Sequence, residues 1–478
     1  MIDAQAAQQL AISGLALMER AGAAAYGSLR RRWPAARRLI VVCGLGNNAG
    51  DGYILARLAW QDRLEVQVLQ LGDAGRLQGD AAAAAAAYRE AGGMVQGFQP
   101  GLALDADVLV DAIVGTGLDR PLQGEWAAAV NALNGSGKPI LAIDLPSGLH
   151  AGSGALLGAT VAATATVTFI AYKSGLFTGA GPAVVGELEF AGLGVPAAAF
   201  AAVPAQARLI ARERIGTALP KRPRDAHKGR HGHVLVVGGE RGMGGAVRMA
   251  AEAAARVGAG LVTVATRVEH CAGLLAARPE VMCHGIDAAD ELNPWLQRAD
   301  VVVLGPGLGR SAWSRALYEA ALRFEGPMLL DADGLNLLAE APVRNEHWVL
   351  TPHPGEAARL LGADTRQVQQ DRFLASLQLV ERYGGVAVLK GAGTIVQAPG
   401  SLPQVCTTGN PGMGSGGMGD VLSGVIGGLL AQGMVLAEAA AVGVWIHGAA
   451  ADRAASAGER GLLALDLMPY LRELVNPI

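Results

Sequence analysis

Asn410-Pro411-Gly412-Met413-Gly414-Ser415-Gly416-Gly417-Met418-Gly419-Asp420-Val421-Leu422-Ser423-Gly424 is a glycine run that ends at an acid and passes into an apolar segment, residues 421–430. Glycines allow positive φ and let backbone N–H groups approach a ligand closely, and the apolar run behind them has the composition of a buried helix. The stretch predicts an anion cradle at a helix N-terminus. Asp420 falls at the junction, beside whatever anion the amides hold. A carboxylate there repels phosphate and is better suited to take a proton from a hydroxyl attacking a bound phosphoryl group. The plainer alternative is a glycine-rich turn with Asp420 as its N-cap.

Outward from this stretch the chain reads as α/β. Its 478 residues exceed one ordinary core and call for more than one domain. With 51% hydrophobic and 17% charged residues the chain buries well, and its 67 glycines follow no collagen-like period, so they mark tight turns. A net charge of −3 gives no global field for nucleic acid, and the basic clusters at 30–38 and 221–233 read as solvated faces or phosphate contacts. Cys43, Cys271, Cys283 and Cys406 lack metal-ligand spacing and read as reduced, mostly buried thiols of a cytoplasmic protein. No basic n-region leads into an apolar core at the N-terminus. The most lipid-like stretches, 155–172 and 421–451, are broken by threonines or by Gln432, Glu438 and His447, which argues against a membrane partner.

Taken in order, residues 5–32 carry apolar positions at helical spacing and predict one opening helix. Residues 39–43 form a buried strand that runs into Gly44-Leu45-Gly46-Asn47-Asn48-Ala49-Gly50-Asp51-Gly52, with a helix expected over 53–62. Strand, glycine loop and helix make a dinucleotide-type phosphate site by position. The lone pattern is weak, but paired Asn47 and Asn48 add donors and oxygen ligands that an ordinary turn of this kind lacks. The strand at 106–111 ends in Asp111 and is followed by Gly115-Thr116-Gly117-Leu118-Asp119-Arg120-Pro121; the strand at 139–143 ends in Asp144-Leu145-Pro146-Ser147. Strand after strand delivering polar residues at its end implies one parallel sheet whose loops meet at the carboxyl edge. Asn48, Asp111 and Ser147 can then offer oxygens to a cation and Asp144 can serve as a base. The alternative is that each acid caps the following helix.

A domain boundary is set near residue 212, where the Ala/Pro/Val-rich segment 190–219 loses periodicity. The second half repeats the alternation: strands at 234–237, 261–265, 300–304, Met328–Leu330, Trp348–Leu350 and Val386–Leu389, the last running into Lys390-Gly391-Ala392-Gly393-Thr394. Lys390 and Thr394 bring a cation and a hydroxyl beside glycines, a grip on nucleotide phosphate. His353, between two prolines after a buried strand, is placed for ligand contact.

With these residues in view the chain resembles, over nearly its whole length, the bifunctional NAD(P)H-hydrate repair enzymes, an epimerase fused to an ADP-dependent dehydratase. The resemblance rests on Leu17-Met18-Glu19-Arg20-Ala21-Gly22, the Asn47 to Asp51 loop, Gly115 to Pro121, Asp144 to Ser147, His227-Lys228-Gly229, Gly305 to Gly309, His353 to Glu356, Lys390 to Thr394 and Gly416 to Asp420. It implies a Rossmann-like three-layer epimerase domain over residues 1–212. There Asn47, Asn48, Ala49, Gly50, Asp51, Gly115, Thr116, Gly117, Leu118, Asp119, Arg120, Pro121 and Asp144 would touch hydrated NADH or NADPH, and Asn48, Asp111 and Ser147 would hold a potassium ion. Ala49 stands where the family usually has glycine. For residues 213–478 it implies a ribokinase-like domain in which Ala246, Gly307, His353 and Asp420 bind the S epimer of the hydrate. Lys390, Gly391, Ala392, Gly393, Thr394 and Gly419 would bind ADP, with Mg2+. Catalysis falls to Asp144 and Asp420. A homo-oligomer is expected. One rival is a ribokinase-type small-molecule kinase with a dinucleotide-binding regulatory N-terminal domain; another is an N-terminal half that only docks a partner.

Overall fold

A computed structural model describes residues 2–201 and 203–476. The chain divides into two compact units, Met1–Gln206 and Ala207–Ile478. The division falls ahead of residue 212 because Arg208–Leu209 already pairs with Gln404–Cys406 in the second sheet.

The first unit is built on a seven-stranded sheet. Its strands are β1 (Arg38–Cys43), β2 (Glu65–Gln70), β3 (Val95–Gly97), β4 (Val108–Ala112), β5 (Ile140–Ile143), β6 (Ala165–Phe169) and β7 (Glu187–Ala191), in the order β3-β2-β1-β4-β5-β6-β7. Every pairing is parallel, so the ends of β1, β4 and β5 share one edge. Successive side chains alternate between faces: Val41, Val68 and Val110 enter one apolar cluster, while Ile40, Val42, Leu69 and Leu109 enter the other. Both faces are buried, which explains the uninterrupted apolar run of β1.

Two elements differ from the sequence reading. The expected opening helix is two helices, Ile2–Leu10 and Gly14–Arg32, separated by Ala11 at φ 53°. Ser13 caps the second, its hydroxyl accepting the Ala16 N–H at 3.1 Å, which satisfies a donor that a continuous helix would have bonded internally. The expected loop at 44–52 is shorter, because the helix Asn47–Gln61 starts at Asn47. Gly50 and Gly52 therefore serve packing rather than a turn. A Cβ on Gly50 would lie 2.4 Å from Met18 Sδ, and one on Gly52 would lie 2.4 Å from the Ala112 Cβ.

The second unit holds a ten-stranded sheet, ordered β11-β10-β9-β12-β13-β14-β15-β16-β17-β8. These are β8 (Arg208–Leu209), β9 (His233–Val237), β10 (Leu261–Thr266), β11 (Met282–Gly285), β12 (Val301–Leu304), β13 (Met328–Leu330), β14 (Trp348–Leu350), β15 (Val386–Leu389), β16 (Thr394–Gln397) and β17 (Gln404–Cys406). The run from β11 to β15 is parallel, while β16 pairs antiparallel with both β15 and β17. On one face the helix Met418–Ala431 packs against the helix Gly244–Arg256. A Cβ on Gly424 would lie 2.0 Å from the Ala250 carbonyl oxygen, so this backbone approach admits only glycine.

Candidate active sites

In the second unit the glycine run does end at a helix N-terminus. Gly417 is the N-cap at φ 92°, and the helix begins at Met418 with Asp420 in its first turn. The helix stays in place because its apolar body, Val421, Leu422, Val425, Ile426 and Leu429, is buried in the main core of the unit. Its free N–H groups are thereby aimed outward at a fixed point.

Lys390, directly after β15, turns inward. Its Nζ lies 2.7 Å from Asp331 Oδ1 and 3.9 Å from Glu356 Oε2. A Cβ on Gly419 would be 3.3 Å from that Nζ and 3.4 Å from Asp331 Oδ2, so ammonium, carboxylate and helix start share one corner. Burial works against the charged ammonium, yet Asp331 and Glu356 hold its pKa above the usual lysine value. Asp331 itself is kept low despite burial by Lys390 and by the Ser423 hydroxyl, which donates to its Oδ2 at 2.8 Å.

Among the described residues, no side chain forms a hydrogen bond or ion pair with the Asp420 carboxylate. Burial, then Asp331, pushes its carboxyl up to about 7, with Lys390 opposing. Glu356 is also pushed up to about 7, first by burial, while Lys390 pulls the other way. A carboxyl near neutrality at a helix N-terminus suits a general base.

His353 caps the helix Pro354–Leu361. Its Nδ1 accepts the Gly355 and Glu356 N–H groups at 3.0 and 3.4 Å, and Glu356 Oε2 accepts the His353 N–H at 2.8 Å. The acceptor role of Nδ1 places the ring proton on Nε2. Burial lowers the His353 pKa, so the ring is a neutral donor with more than half its side chain exposed.

Gly307, at φ 57°, and Ala246 adjoin: a Cβ on Gly307 would be 3.0 Å from the Ala246 Cβ. Gly391, Ala392, Gly393 and Thr394 form the turn from Lys390 into β16, with the Thr394 hydroxyl donating to Gly391 O at 3.0 Å. His227-Lys228-Gly229 lies elsewhere, since Lys228–His231 precedes β9 at the opposite sheet edge.

In the first unit β1, β4 and β5 deliver their polar ends to one edge. Ser147 donates through Oγ to Asp111 Oδ1 at 2.6 Å and through its N–H to Asp111 Oδ2 at 2.8 Å, while Val114 N–H donates to Ser147 Oγ at 2.9 Å. Asn48 Oδ1 and Asp144 Oδ2 both flank Gly115, at 3.2 and 3.5 Å from where its Cβ would be. Asp111 is fully buried, and burial pushes its carboxyl up to about 6 against three hydrogen bonds that lower it. Asn48 is buried, and its Nδ2 has no hydrogen-bond partner among the described residues.

Asp144 sits at φ 66°, a backbone conformation non-glycine residues seldom adopt. It forms an ion pair with Lys173, whose Nζ also donates to Thr168 Oγ1 at 3.1 Å and Phe169 O at 2.9 Å. Asn47 is exposed at the helix start, and Gly50 and Asp51 follow within its first turns. Ala49 is fully buried there, so its methyl is a core contact and imposes no strain on a turn. Thr116, Gly117, Asp119, Arg120 and Pro121 are exposed beyond Gly115, and Leu118 of that run is buried.

The comparisons with known proteins cover both units. A family profile described as NAD(P)H-hydrate dehydratase matches residues 234–473, and one described as YjeF-related protein N-terminus matches residues 14–175. A bifunctional NAD(P)H-hydrate repair enzyme of Coxiella burnetii is 53% identical over 467 residues, covering 98% of this chain and 96% of that protein. The chain belongs to the bifunctional NAD(P)H-hydrate repair enzyme family. Its Escherichia coli relative of the same description is 46% identical over 476 residues, covering 99% of this chain and 92% of the relative. Among solved structures, the ADP/ATP-dependent NAD(P)H-hydrate dehydratase of Bacillus subtilis, co-crystallized with ATP and Mg2+, aligns with TM-score 0.52 at 26% identity. That alignment covers 57% of this chain and 98% of the Bacillus chain. The second unit is thus ribokinase-like, and full-length likeness to repair enzymes disfavours an alcohol kinase with a regulatory half.

Against that family background, several residues were not read as site residues from sequence. Lys173 lies in Tyr172-Lys173-Ser174 with no glycine or acid beside it. Asp331 directly follows the strand Met328–Leu330, and nothing local marks it over Asp333, which instead accepts the Gly309 N–H at 2.8 Å. Arg372 is buried and donates to the carbonyls of Leu389 and Lys390 at 3.0 and 3.2 Å, fixing the backbone that carries Lys390. His447, on the helix Leu436–Ala454, is buried behind the cradle, bonded to the Met418 backbone and held neutral, its pKa pushed by burial down to about 4. Among the described residues no helix is long and apolar enough to cross a membrane.

Proposed function

We propose that the second unit dehydrates the S hydrate of NADH or NADPH with ADP as the phosphoryl donor, and that the first unit interconverts the R and S epimers. The observation that carries this reading is the corner where Gly419, Lys390 and Asp331 meet beside Asp420. Hydroxide is a poor leaving group, and a cradle that handles phosphate removes the difficulty by phosphorylating the hydroxyl. Asp420 takes the hydroxyl proton and the oxygen attacks the β-phosphorus of ADP. AMP departs, and the ring then expels phosphate with loss of a ring proton to give NAD(P)H. Lys390 and the helix amides face the transferring group; His353 Nε2–H, Gly307 and Ala246 hold the hydrate, and Gly391 to Thr394 hold the nucleotide.

Mg2+, when bound with the nucleotide, neutralises phosphate charge. Glu356, buried and only weakly compensated by Lys390, suits a site completed by phosphate oxygens and water.

In the first unit Asp144 shuttles the proton of the carbinol oxygen, and Lys173 orients its carboxylate. The helix start at Asn47 and the loop from Gly115 to Pro121 receive the dinucleotide. Asn48 Oδ1, the Asp111 carboxylate and Ser147 Oγ form an all-oxygen set around buried, incompletely balanced negative charge, which fits potassium. The ion would fix these loops electrostatically. A cytoplasmic homo-oligomer belongs to the same reading, supported by four free cysteines and by exposed Val435 and Leu463.

The test is a crossed assay on separated epimers in potassium-containing buffer. Asp420→Asn should abolish ADP-dependent NAD(P)H recovery and spare epimerisation; Asp144→Asn should do the reverse. Retained dehydration in Asp420→Asn removes Asp420 from the mechanism.

A further inference from the structure

Cys271 and Cys283 are separated in sequence, but the fold brings them together. Cys271 lies on the helix Val268–Ala277, and Cys283 lies in β11 at the edge of the sheet. Their sulfurs are 3.2 Å apart, with the Cys283 thiol donating to Cys271. Both are partly exposed, whereas Cys43 and Cys406 are buried. The helix rests directly on the strand end: a Cβ on Gly285 would be 2.7 Å from the Val268 Cα. A disulfide needs the sulfurs at about 2.05 Å, so closure brings them roughly 1 Å nearer than they stand.

We propose that Cys271 and Cys283 are an oxidant-modified dithiol, closed to a disulfide by hydroperoxides and reopened by thiols, that restrains the loop beside the hydrate pocket. Cys283 keeps its proton, burial and Cys271 together pushing its thiol up to about 12, and it donates that proton's hydrogen bond to Cys271 Sγ. Cys271 sulfur attacks the peroxide oxygen, breaking the O–O bond to give a sulfenic acid and water or an alcohol. Cys283 sulfur then displaces the sulfenic oxygen as a second water. The two thiols lose two hydrogens and the peroxide is reduced.

The adjoining residue couples this pair to the pocket. His270 Nε2 lies 3.2 Å from Glu240 O, and its ring blocks any Cβ on Gly244. Glu240 N–H donates to Gly307 O at 2.7 Å, and Gly307 adjoins Ala246. A helix pinned at Cys271 therefore shifts a contact two steps from the hydrate. This effect, though not the disulfide, rests on the reading of Gly307 and Ala246 given above.

The experiment treats the full chain, natively folded, with hydrogen peroxide, then alkylates and maps the thiols. The expected result is loss of two alkylatable thiols, a peptide cross-link joining Cys271 to Cys283, reversal by dithiothreitol, and no cross-link in Cys271→Ser or Cys283→Ser. Oxidation of Cys271 to sulfinic acid without a cross-link, or four intact thiols, overturns the site. In the oxidised wild type the KM for the S hydrate should rise several-fold with kcat and the KM for ADP nearly unchanged. A complete cross-link with unaltered hydrate KM overturns the coupling. Enzyme that forms the cross-link on oxidation but in its reduced state never consumes hydrate sinks the functional reading and leaves the dithiol standing.

Discussion

Lys390 Nζ and Asp331 Oδ1 are 2.7 Å apart, reaching from the ends of β15 and β13 across the end of β14 between them, and Asp331 is almost wholly buried. The pair joins β13 to the loop after β15 beside Gly419, in the first turn of the helix that starts at Met418. Removing one member of a buried pair leaves the other charge uncompensated, at a cost of about 3–5 kcal/mol. Asp331→Asn should therefore lower the stability of the second unit by about 3 kcal/mol. The double variant Asp331→Asn with Lys390→Met should recover part of that loss. Urea denaturation of both, following the transition that ADP shifts, checks the pair, and equal losses in single and double variants would contradict it.

Arg372 is the second support of Lys390. Its guanidinium donates to the Leu389 and Lys390 carbonyls and, through Nη1, to Gln369 Oε1 at 2.9 Å. Arg372→Met preserves most of the volume but leaves carbonyls without their donors, costing about 1–3 kcal/mol. The KM for ADP should rise about tenfold, an effect of roughly 1.4 kcal/mol on nucleotide binding. Epimerisation should be unchanged. Steady-state kinetics of the two half-reactions separate these outcomes, and a fall in both would point to general misfolding.

Ala49 invites the opposite expectation from its place in a glycine-rich motif. It lies in the helix Asn47–Gln61 and is fully buried, so glycine would add backbone freedom and remove a packed methyl. Ala49→Gly should lower the stability of the first unit by about 1 kcal/mol and leave epimerase turnover in place. Thermal unfolding with a matched epimerisation assay reads both, and a more active or more stable variant would show the loop to be strained by alanine.

What was legible in the sequence follows burial. Runs such as Leu39 to Cys43 and Val386 to Leu389 are buried on both faces, so apolarity alone marks them as strands. Val95–Gly97, Met282–Gly285 and Arg208–Leu209 were missed because they are short edge strands with half-exposed side chains, held by their neighbours' hydrogen bonds. Asp420 was legible because glycines surround it. Asp331, Lys173 and Arg372 were not, since their partners Lys390, Asp144 and the Leu389 carbonyl come from distant segments. The glycines of Asn47 to Gly52 were legible as a motif but not for their purpose, which is contact with Met18 and Ala112.

The pH response separates the two raised carboxyls of the second site. Asp420 and Glu356 both stand at about 7, against an ordinary value near 4. If ionised Asp420 is the base, dehydratase kcat/KM should rise about tenfold per pH unit below 7 and level above it. In Glu356→Gln the limb should persist near pH 7 even though turnover falls, and its disappearance would move the base to Glu356. The same groups give a stability signature of definite sign. Each folded carboxyl holds its proton to a higher pH than its unfolded form, so stability falls as pH rises from about 4 to about 7 and is flat beyond. Asp331, held low, acts in the opposite sense and loses stability only in more acid solution. Asp420→Asn removes one ionisation that the fold disfavours. The variant should be more stable than wild type above pH 7 and lose that advantage as the pH is brought toward 4, which denaturation series at several pH values would show. An Asp420→Asn variant with unchanged stability across that window would mean that Asp420 is solvated in the folded enzyme, and the case for its raised pKa would fail with it.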